Sequence, residues 1–318
     1  VAALAPLGPR LGAPSIVSAR AALGRRGAAL LALVLYVTNF AWIALNNVIA
    51  GSACAAAGGG PSSERPWAVA MGLLATVVVL LGPRAVALAN RAAVPIMIAV
   101  GLLMLARVAC LPAPAAAGAA SPLGWLRGLD VVVGYQISWI LMFADYSRYT
   151  ASAAASAAAG CLGLALSSLW FMPLGLLAAE APGSADPGAM ATALGAGTAG
   201  AVLMALGTVT TNFVNIYLSA LAWKSLFPRA SEQVSIWSIG LVGTALSLLS
   251  RVWLDRYAEF MLVLGGLLVP VGGILLARFF LMRAPVDVPA LYDARGPQAS
   301  WKAAAPGLVA WAGGATVY

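Results

Sequence analysis

The stretch LALVLYVTNFAWIALNNVIA, residues 31–50, decides the fold class, because it is apolar over most of its length. About twenty residues of α-helix cross the hydrocarbon core of a bilayer. Three asparagines and a tryptophan interrupt the run, and an unpaired amide is costly where water is absent. The stretch therefore predicts a membrane-spanning helix whose polar side chains have partners on other helices or on a ligand.

The composition of the whole chain supports a membrane protein. Of the 318 residues, 62% are hydrophobic and 9% are charged, and the mean hydropathy is +0.93. A soluble domain carries about 25% charged residues. The absence of histidine excludes His-based acid–base catalysis, haem ligation and most zinc sites. The three cysteines match no metal or redox spacing, so we expect no cofactor.

We predict a single all-α transmembrane domain over residues 1–318. Apolar runs of spanning length predict eight full spans, near 27–51, 66–82, 86–111, 124–144, 153–180, 194–223, 233–252 and 257–282. Partial spans are expected at both ends, over residues 1–9 and from about 304. The chain starts without a methionine and stops within an apolar run, so we expect a fragment of a longer protein.

The basic residues favour a membrane orientation over a nucleic-acid partner. The net charge is +8, but all except five of the 18 Lys and Arg residues lie in the same alternate set of loops. This asymmetry places that set in the cytoplasm. The abundance of Ala, Gly and Arg is typical of a bacterial gene. We therefore predict a multi-pass protein of the bacterial inner (plasma) membrane that contacts lipid and binds no nucleic acid.

Asn39, Trp42 and Asn46 are spaced i, i+3, i+7 and share one helix face. A planar heterocycle could stack on the indole and hydrogen-bond to the amides. The alternative is that these amides join neighbouring helices, where such bonds are worth about 1 kcal/mol. The spacing alone does not separate the two interpretations. Asn47 is assigned to helix packing.

Span 124–144 contains Gly134, Tyr135, Gln136 and Ser138. These residues fit a loosened helix that lines a cavity, because irregular backbone at this depth occurs only inside protein or beside a cavity. The alternative is close helix packing at Gly134. Gln136 favours the cavity wall, because an unpaired amide at this depth is costly. Asp145 follows the span, and an ion pair with Arg148 or a helix-end role is favoured over proton transfer.

Span 194–223 carries hydroxyl and amide side chains within GTVTTNFVN, residues 207–215. Adjacent hydroxyls beside Gly207 offer oxygen ligands for a hard cation such as Na⁺. The alternative is that Thr210 and Thr211 bond back to their own helix. Asn212 and Asn215 add amides one turn apart, and the segment is predicted to be a loosened helix or a cavity wall.

Five segments together resemble the nucleobase–cation symporter family, which includes cytosine/purine, uracil, thiamine, allantoin and hydantoin permeases. Residues 8–27 resemble the loop between the family's second and third helices. The other segments resemble its third, sixth, eighth and tenth helices: TNFAWIALNN (38–47), VGYQISWILMFADYSRY (133–149), TVTTNFVNIYLSALAWKSL (208–226) and VPVGGILLARFFL (269–281).

The resemblance implies a LeuT-like five-plus-five inverted-repeat bundle, here lacking the first helix and the C-terminal end. It implies that Trp42 stacks on the substrate and that amides and neighbouring groups contact it, namely Asn39, Asn46, Gly134, Tyr135, Gln136, Ser138, Asn212 and Asn215. The family often has an aromatic ring where Gln136 stands, so Tyr135 or Trp139 would supply it. Gly207, Thr210 and Thr211 match the family's sodium ligands.

The predicted function is that of a secondary active transporter. It would import a nucleobase or related planar heterocycle of cytosine, hydroxymethylpyrimidine, purine, allantoin or hydantoin type. Import would be coupled to Na⁺ or H⁺, and the protein is expected to be a monomer. The alternatives are a non-transporting fragment and a membrane-embedded enzyme. The enzyme is disfavoured, because the spans contain no histidine and no clustered acids.

Overall fold

The computed structural model of this chain is built from helices. It describes residues 1–58, 60–110, 122–180, 183, 186–195, 197–249, 251–282 and 284–318. These ranges contain no strand, and their α-helices are α1 (Leu7–Leu11), α2 (Ser15–Gly58), α3 (Glu64–Leu80), α4 (Pro83–Ala109), α5 (Pro122–Ile137), α6 (Ala153–Glu180), α7 (Pro187–Ala193), α8 (Gly197–Leu226), α9 (Glu232–Leu246), α10 (Arg251–Asp255), α11 (Tyr257–Leu276), α12 (Val288–Tyr292) and α13 (Trp301–Val317).

Within these ranges, six helical segments are long and apolar enough to cross a membrane. They are Ser15–Gly58, Pro83–Ala109, Ala153–Glu180, Gly197–Leu226, Glu232–Leu249 and Tyr257–Leu281. The predicted spans 66–82 and 124–144 correspond to the shorter helices α3 and α5. Residue 111 of the predicted span 86–111, residue 196 of 194–223 and residue 250 of 233–252 lie outside the described residues.

Helix α2 is broken at Gly24, which separates the segment from Ser15 to Leu23 from the longer part that carries the asparagines. Gly24 has φ 63° and ψ 173°, a conformation that L-residues with a side chain rarely adopt. A Cβ at this position would lie 2.9 Å from the backbone nitrogen of Ala304 in α13. Glycine is therefore required here both by the backbone angle and by the close approach of α13.

The chain divides into two compact units. The first comprises residues 1–35, 118–167 and 256–318 and is organised around α11. Gly134 of α5 lies against the carbonyl group of Met261, and Gly314 of α13 lies against the ring of Pro270. The indole Nε1 of Trp311 donates to the carbonyl of Leu267 at 2.8 Å. Small residues let these helices approach closely, which is how helices associate in lipid.

The second unit comprises residues 36–117 and 168–255. Its helices α3 and α9 cross through two matching motifs, GLLAT (72–76) and GLVGT (240–244). Gly72 lies against Thr244, and Gly240 lies against Thr76, so the contact is reciprocal and antiparallel. Glycine allows the facing backbone to approach, and threonine fills the space that each glycine leaves.

Two apolar clusters complete the second unit. The first joins α2, α3, α8 and α9 around Ile43, Ala75, Phe213, Ile216 and Ile239. The second joins α4, α6, α7 and α8, and its members are Met104, Val108, Leu174, Ala178, Met190, Leu194 and Leu203. Helix α8 contributes to both clusters. It is therefore held on two sides, and the polar residues that it carries have fixed positions.

Candidate functional site

The asparagines of α2 lie on a buried face of the helix. Asn39 is 3% exposed and Asn46 is 7% exposed, whereas Trp42, on the same face between them, is half-buried. The i, i+3, i+7 spacing therefore places two sheltered amides on either side of an indole that keeps part of its surface accessible.

Helix α8 carries a second polar face with the same spacing. Asn212, Asn215 and Ser219 follow the i, i+3, i+7 pattern and are all buried, with Asn212 and Ser219 fully so. An amide in such a position has to be satisfied within the protein. The polar side chains of α2 and α8 satisfy each other through hydrogen bonds.

The amides of α2 and α8 form one hydrogen-bond network. Asn46 Nδ2 donates to Asn212 Oδ1 at 3.0 Å, and Asn215 Nδ2 donates to the same oxygen at 3.3 Å. Asn212 Nδ2 donates to Asn47 Oδ1 at 2.9 Å and to the carbonyl oxygen of Ile43 at 3.3 Å. Asn212 thus has four protein partners and is the centre of the network.

Asn39 joins α2 to α8 at a second point. Its Nδ2 donates to the hydroxyl of Ser219 at 2.9 Å and to the backbone carbonyl of Asn215 at 3.3 Å. The structure therefore brings together four of the predicted site residues, Asn39, Asn46, Asn212 and Asn215. The interpretation that these amides join helices is met by the bonds between α2 and α8, and ligand binding by their remaining groups stays a prediction.

The threonines of α8 behave differently from its asparagines. Thr210 Oγ1 donates to the carbonyl of Leu206 at 2.7 Å, and Thr211 Oγ1 donates to that of Gly207 at 2.7 Å. Helix α8 is continuous from Gly197 to Leu226, so the predicted loosening of this segment does not occur. Because each hydroxyl donates to a carbonyl four residues earlier in α8, it is satisfied without any break in the helix.

The same bonds are compatible with a cation ligand role for the two hydroxyls. Each proton of Thr210 and Thr211 is directed to a carbonyl, which leaves the oxygen lone pairs for a hard cation. Among the residues that the structure describes, no group of three or more His, Cys, Asp or Glu side chains could hold a metal. The ligands available at this point of α8 are therefore neutral oxygens.

The predicted residues of span 124–144 belong to the first unit. Here α5 ends at Ile137 and continues as a 3₁₀ segment over Ser138–Met142, so the helix is irregular where the sequence predicted. Ser138 Oγ donates to the carbonyl of Tyr135 at 2.6 Å. Tyr135 and Gln136 are half-buried. Gly134 packs against the backbone of Met261 in α11, so it allows α5 and α11 to approach closely.

Asp145 lies in a buried contact at the end of span 124–144 that is predicted to face the cytoplasm. Its Oδ1 accepts from the backbone N–H of Ser15, the first residue of α2, at 3.3 Å. Ser15 Oγ accepts in turn from the N–H of Ala144 at 2.8 Å. Burial raises the pKa of Asp145, against the hydrogen bonds from Ser15 and the charge of Arg148, which lower it. Asp145 Oδ1 is therefore an acceptor for a backbone N–H at the N-terminus of α2.

The alternative expectation for Asp145, an ion pair with Arg148, is not met. The ion pairs between described residues are Lys224–Glu232 and Arg256–Glu259. Arg148 instead donates to the hydroxyl of Tyr149 at 2.7 Å and lies over its ring. Asp145 and Arg148 are three residues apart in sequence, but their side chains bond different partners. Asp145 accepts from Ser15, and Arg148 donates to Tyr149.

Ser219 is a network residue that the sequence reasoning missed. It completes on α8 the i, i+3, i+7 pattern of Asn212 and Asn215, so the rule applied to α2 would have identified it. Asn47, assigned to helix packing, accepts from Asn212 and is 1% exposed. Its Nδ2 is a buried donor without a partner among the described residues.

The fold resembles that of a solved transporter in two conformations. The inward-facing conformation of Mhp1 matches with a TM-score of 0.77 at 21% identity, over 98% of this chain and 75% of that chain. A closed conformation of Mhp1, a nucleobase-cation-symport-1 family transporter with bromovinylhydantoin bound, matches with a TM-score of 0.74 at 18% identity, over 99% and 81%. The predicted all-α LeuT-like transporter fold is confirmed.

The sequence itself identifies the family. No curated protein gives a significant sequence match. The sequence pattern of one family, described as permeases for cytosine/purines, uracil, thiamine and allantoin, matches residues 1–317. This match confirms the prediction of a membrane transporter and excludes the membrane-embedded enzyme. The chain belongs to the cytosine/purine, uracil, thiamine and allantoin permease family.

Proposed function

We propose that this protein is a secondary active transporter that imports a nucleobase or related planar heterocycle. The observation that carries the proposal is the amide network around Asn212, because it holds unused amide groups beside the accessible indole of Trp42 on one face of α2. A flat ring with polar edges suits such a face. The substrate contacts would be Asn39, Trp42, Asn46, Gly134, Tyr135, Gln136, Ser138, Asn212 and Asn215.

The substrate class follows from the family and from the chemistry of the face. The family is described by cytosine/purines, uracil, thiamine and allantoin, and Mhp1 has been solved with bromovinylhydantoin. Cytosine, hydroxymethylpyrimidine, purine, allantoin and hydantoin types all present amide-like edges. We place the protein in a bacterial inner membrane and treat the monomer as the functional form.

The decisive experiment for substrate binding is the Trp42→Ala substitution. Cells that produce the variant should lose uptake of radiolabelled cytosine, uracil, hydantoin or allantoin, whichever the unmodified protein imports, because the stacking surface is gone. Trp42→Phe retains a smaller ring and should retain part of the uptake. Membrane insertion, measured by immunodetection in isolated membranes, should be unchanged in both. Uptake at the unmodified rate in Trp42→Ala would contradict the stacking role.

We propose Na⁺ as the coupling ion, with H⁺ as the alternative, and we assign Na⁺ to Gly207, Thr210 and Thr211. Cation and substrate would favour the same conformation and so increase each other's affinity. The Thr210→Ala, Thr211→Ala double variant should weaken the Na⁺ dependence of substrate binding. The control is Thr208→Ala, since Thr208 Oγ1 also donates to its own helix, at 2.7 Å from the Met204 carbonyl. Unchanged Na⁺ dependence in the double variant would exclude these ligands.

A further inference from the structure

The backbone carbonyl of Ile43 determines the direction of the whole amide network. A carbonyl oxygen can only accept a hydrogen bond, so the end of the Asn212 amide that faces it has to be the NH₂ group. The oxygen of Asn212 then faces the opposite way, toward Asn46 and Asn215. Because Asn212 is fully buried, no water competes for either end.

The direction passes from Asn212 to its neighbours. Asn46 and Asn215 both meet an acceptor, Asn212 Oδ1, and both therefore present their NH₂ groups to it. The backbone carbonyl of Asn215 fixes Asn39 in the same way, since it accepts from Asn39 Nδ2. Asn39 uses both N–H groups of its amide inside the protein, Asn46 and Asn215 each use one to bond Asn212 Oδ1, and the three amide oxygens remain.

These three amide oxygens are available to a ligand. Among the described residues, no donor bonds to Oδ1 of Asn39, Asn46 or Asn215, and none of the three oxygens is sealed from solvent in the way that Asn47 Nδ2 is. A group placed against them has to donate a hydrogen bond. A ring carbonyl would place two acceptors against each other without a proton between them, and an alkylated ring nitrogen would leave the amide oxygen without a donor.

We infer that Asn212 is a positioning residue that turns this face into a row of acceptors, and that the protein selects heterocycles by their ring N–H or amino donors. The inference rests on the proposed function and deepens it, because it names the edge of the substrate that binds the amides. Asn46 and Asn215 would touch the substrate, and Asn212 would act through them.

The first test compares ring pairs that differ in one donor. Hydantoin and oxazolidine-2,4-dione have rings of similar size, but a ring N–H of the first is an oxygen in the second. Uracil and 1,3-dimethyluracil extend the comparison to six-membered rings, and thymine controls for the added bulk of a methyl group. Binding to the purified protein in detergent is measured by calorimetry. Loss of the donors should weaken binding by about tenfold to a hundredfold.

The outcomes of this test separate the inference from the proposed function. If no parent ring among cytosine, uracil, hydantoin and allantoin binds, the proposed function fails. If a parent ring binds and its analogue without the N–H binds as tightly, the proposed function stands and the inference is overturned. A parent preference that thymine shares with uracil supports the inference.

The second test concerns Asn212 itself. In Asn212→Leu, the amides of Asn46 and Asn215 are free to rotate and present NH₂, so the preference for the N–H ring over its ring-oxygen analogue should fall toward one. A purely structural role would weaken both ligands equally and leave the ratio unchanged, which would overturn the assignment. If Asn212→Leu does not yield folded protein, Asn212→Ser takes its place with the same two outcomes.

Asn47→Leu is the matched control for Asn212→Leu. It removes one acceptor of the Asn212 amide but leaves the Ile43 carbonyl, which is sufficient to direct it. The preference ratio in Asn47→Leu should therefore equal that of the unmodified protein, even if the variant is less stable. A ratio that falls equally in both variants would show that the direction is not set by Ile43.

Discussion

The second unit contains two helix contacts that use opposite means. Helices α2 and α8 are joined by directional hydrogen bonds of 2.9 to 3.3 Å. Asn39 donates to Ser219, Asn46 donates to Asn212, and Asn212 donates to the carbonyl of Ile43. Helices α3 and α9 meet through Gly72 and Gly240, and the threonine of the facing helix fills the space beside each glycine. Among the described residues, no hydrogen bond joins these threonines to the other helix. The first contact leaves polar groups unused beside an accessible indole, whereas the second leaves no room.

The difference matters because the two contacts tolerate different changes. A hydrogen bond between helices in lipid contributes about 1 kcal/mol. A close contact cannot accept an added side chain without displacement of a backbone. We therefore expect the stability of the unit to depend more on the α3–α9 contact, and its ligand chemistry to depend on the α2–α8 contact.

The largest effect is expected from Gly240→Leu. A Cβ on residue 240 would lie 2.8 Å from the Cβ of Thr76, which is fully buried and cannot move aside. The variant should lose about 3 kcal/mol of stability, measured by thermal denaturation in detergent. Leu241→Ala is the control, because Leu241 lies next to Gly240 on α9 and its side chain is 47% exposed. Equal midpoints for the two variants would contradict the close contact.

A smaller loss is expected from Asn39→Leu. The substitution removes the bonds to Ser219 and to the Asn215 carbonyl, and should cost about 1 kcal/mol by the same measurement. Thr210→Val provides the comparison, since that hydroxyl bonds only within α8 among the bonds described. If Thr210→Val costs as much as Asn39→Leu, the bonds between helices contribute nothing beyond local ones.

Residue spacing predicted where side chains lie around a helix, but not what they bond. The shared face of Asn39, Trp42 and Asn46 follows from helical geometry. The loosening expected in α8 was wrong, because Thr210 and Thr211 find acceptors in their own helix. The predicted irregularity of span 124–144 was found, since α5 ends at Ile137 and a 3₁₀ segment begins at Ser138. The partner of Asp145 could not be predicted, since Ser15 is 130 residues away.

The smallest effect is expected from Thr244→Val. Thr244 Oγ1 is a buried hydroxyl without a partner among the described residues, and its replacement by a methyl of similar size should leave stability unchanged or raise it by up to about 1 kcal/mol. Thr76→Val should instead cause a small loss, since Thr76 Oγ1 donates to the Gly72 carbonyl at 2.8 Å. A loss from Thr244→Val larger than that from Thr76→Val would indicate a partner for Thr244.

The reciprocal contact of α3 and α9 also bears on how this family can vary. Gly72 and Thr244 share one space, as do Gly240 and Thr76, so a methyl gained at one member of a pair has to be lost at the other. The combined volume of each pair is then constrained, while either residue alone is not. Related permeases should therefore show coupled substitutions at these positions, and independent drift at Leu74 and Leu241, which are exposed on the same two helices.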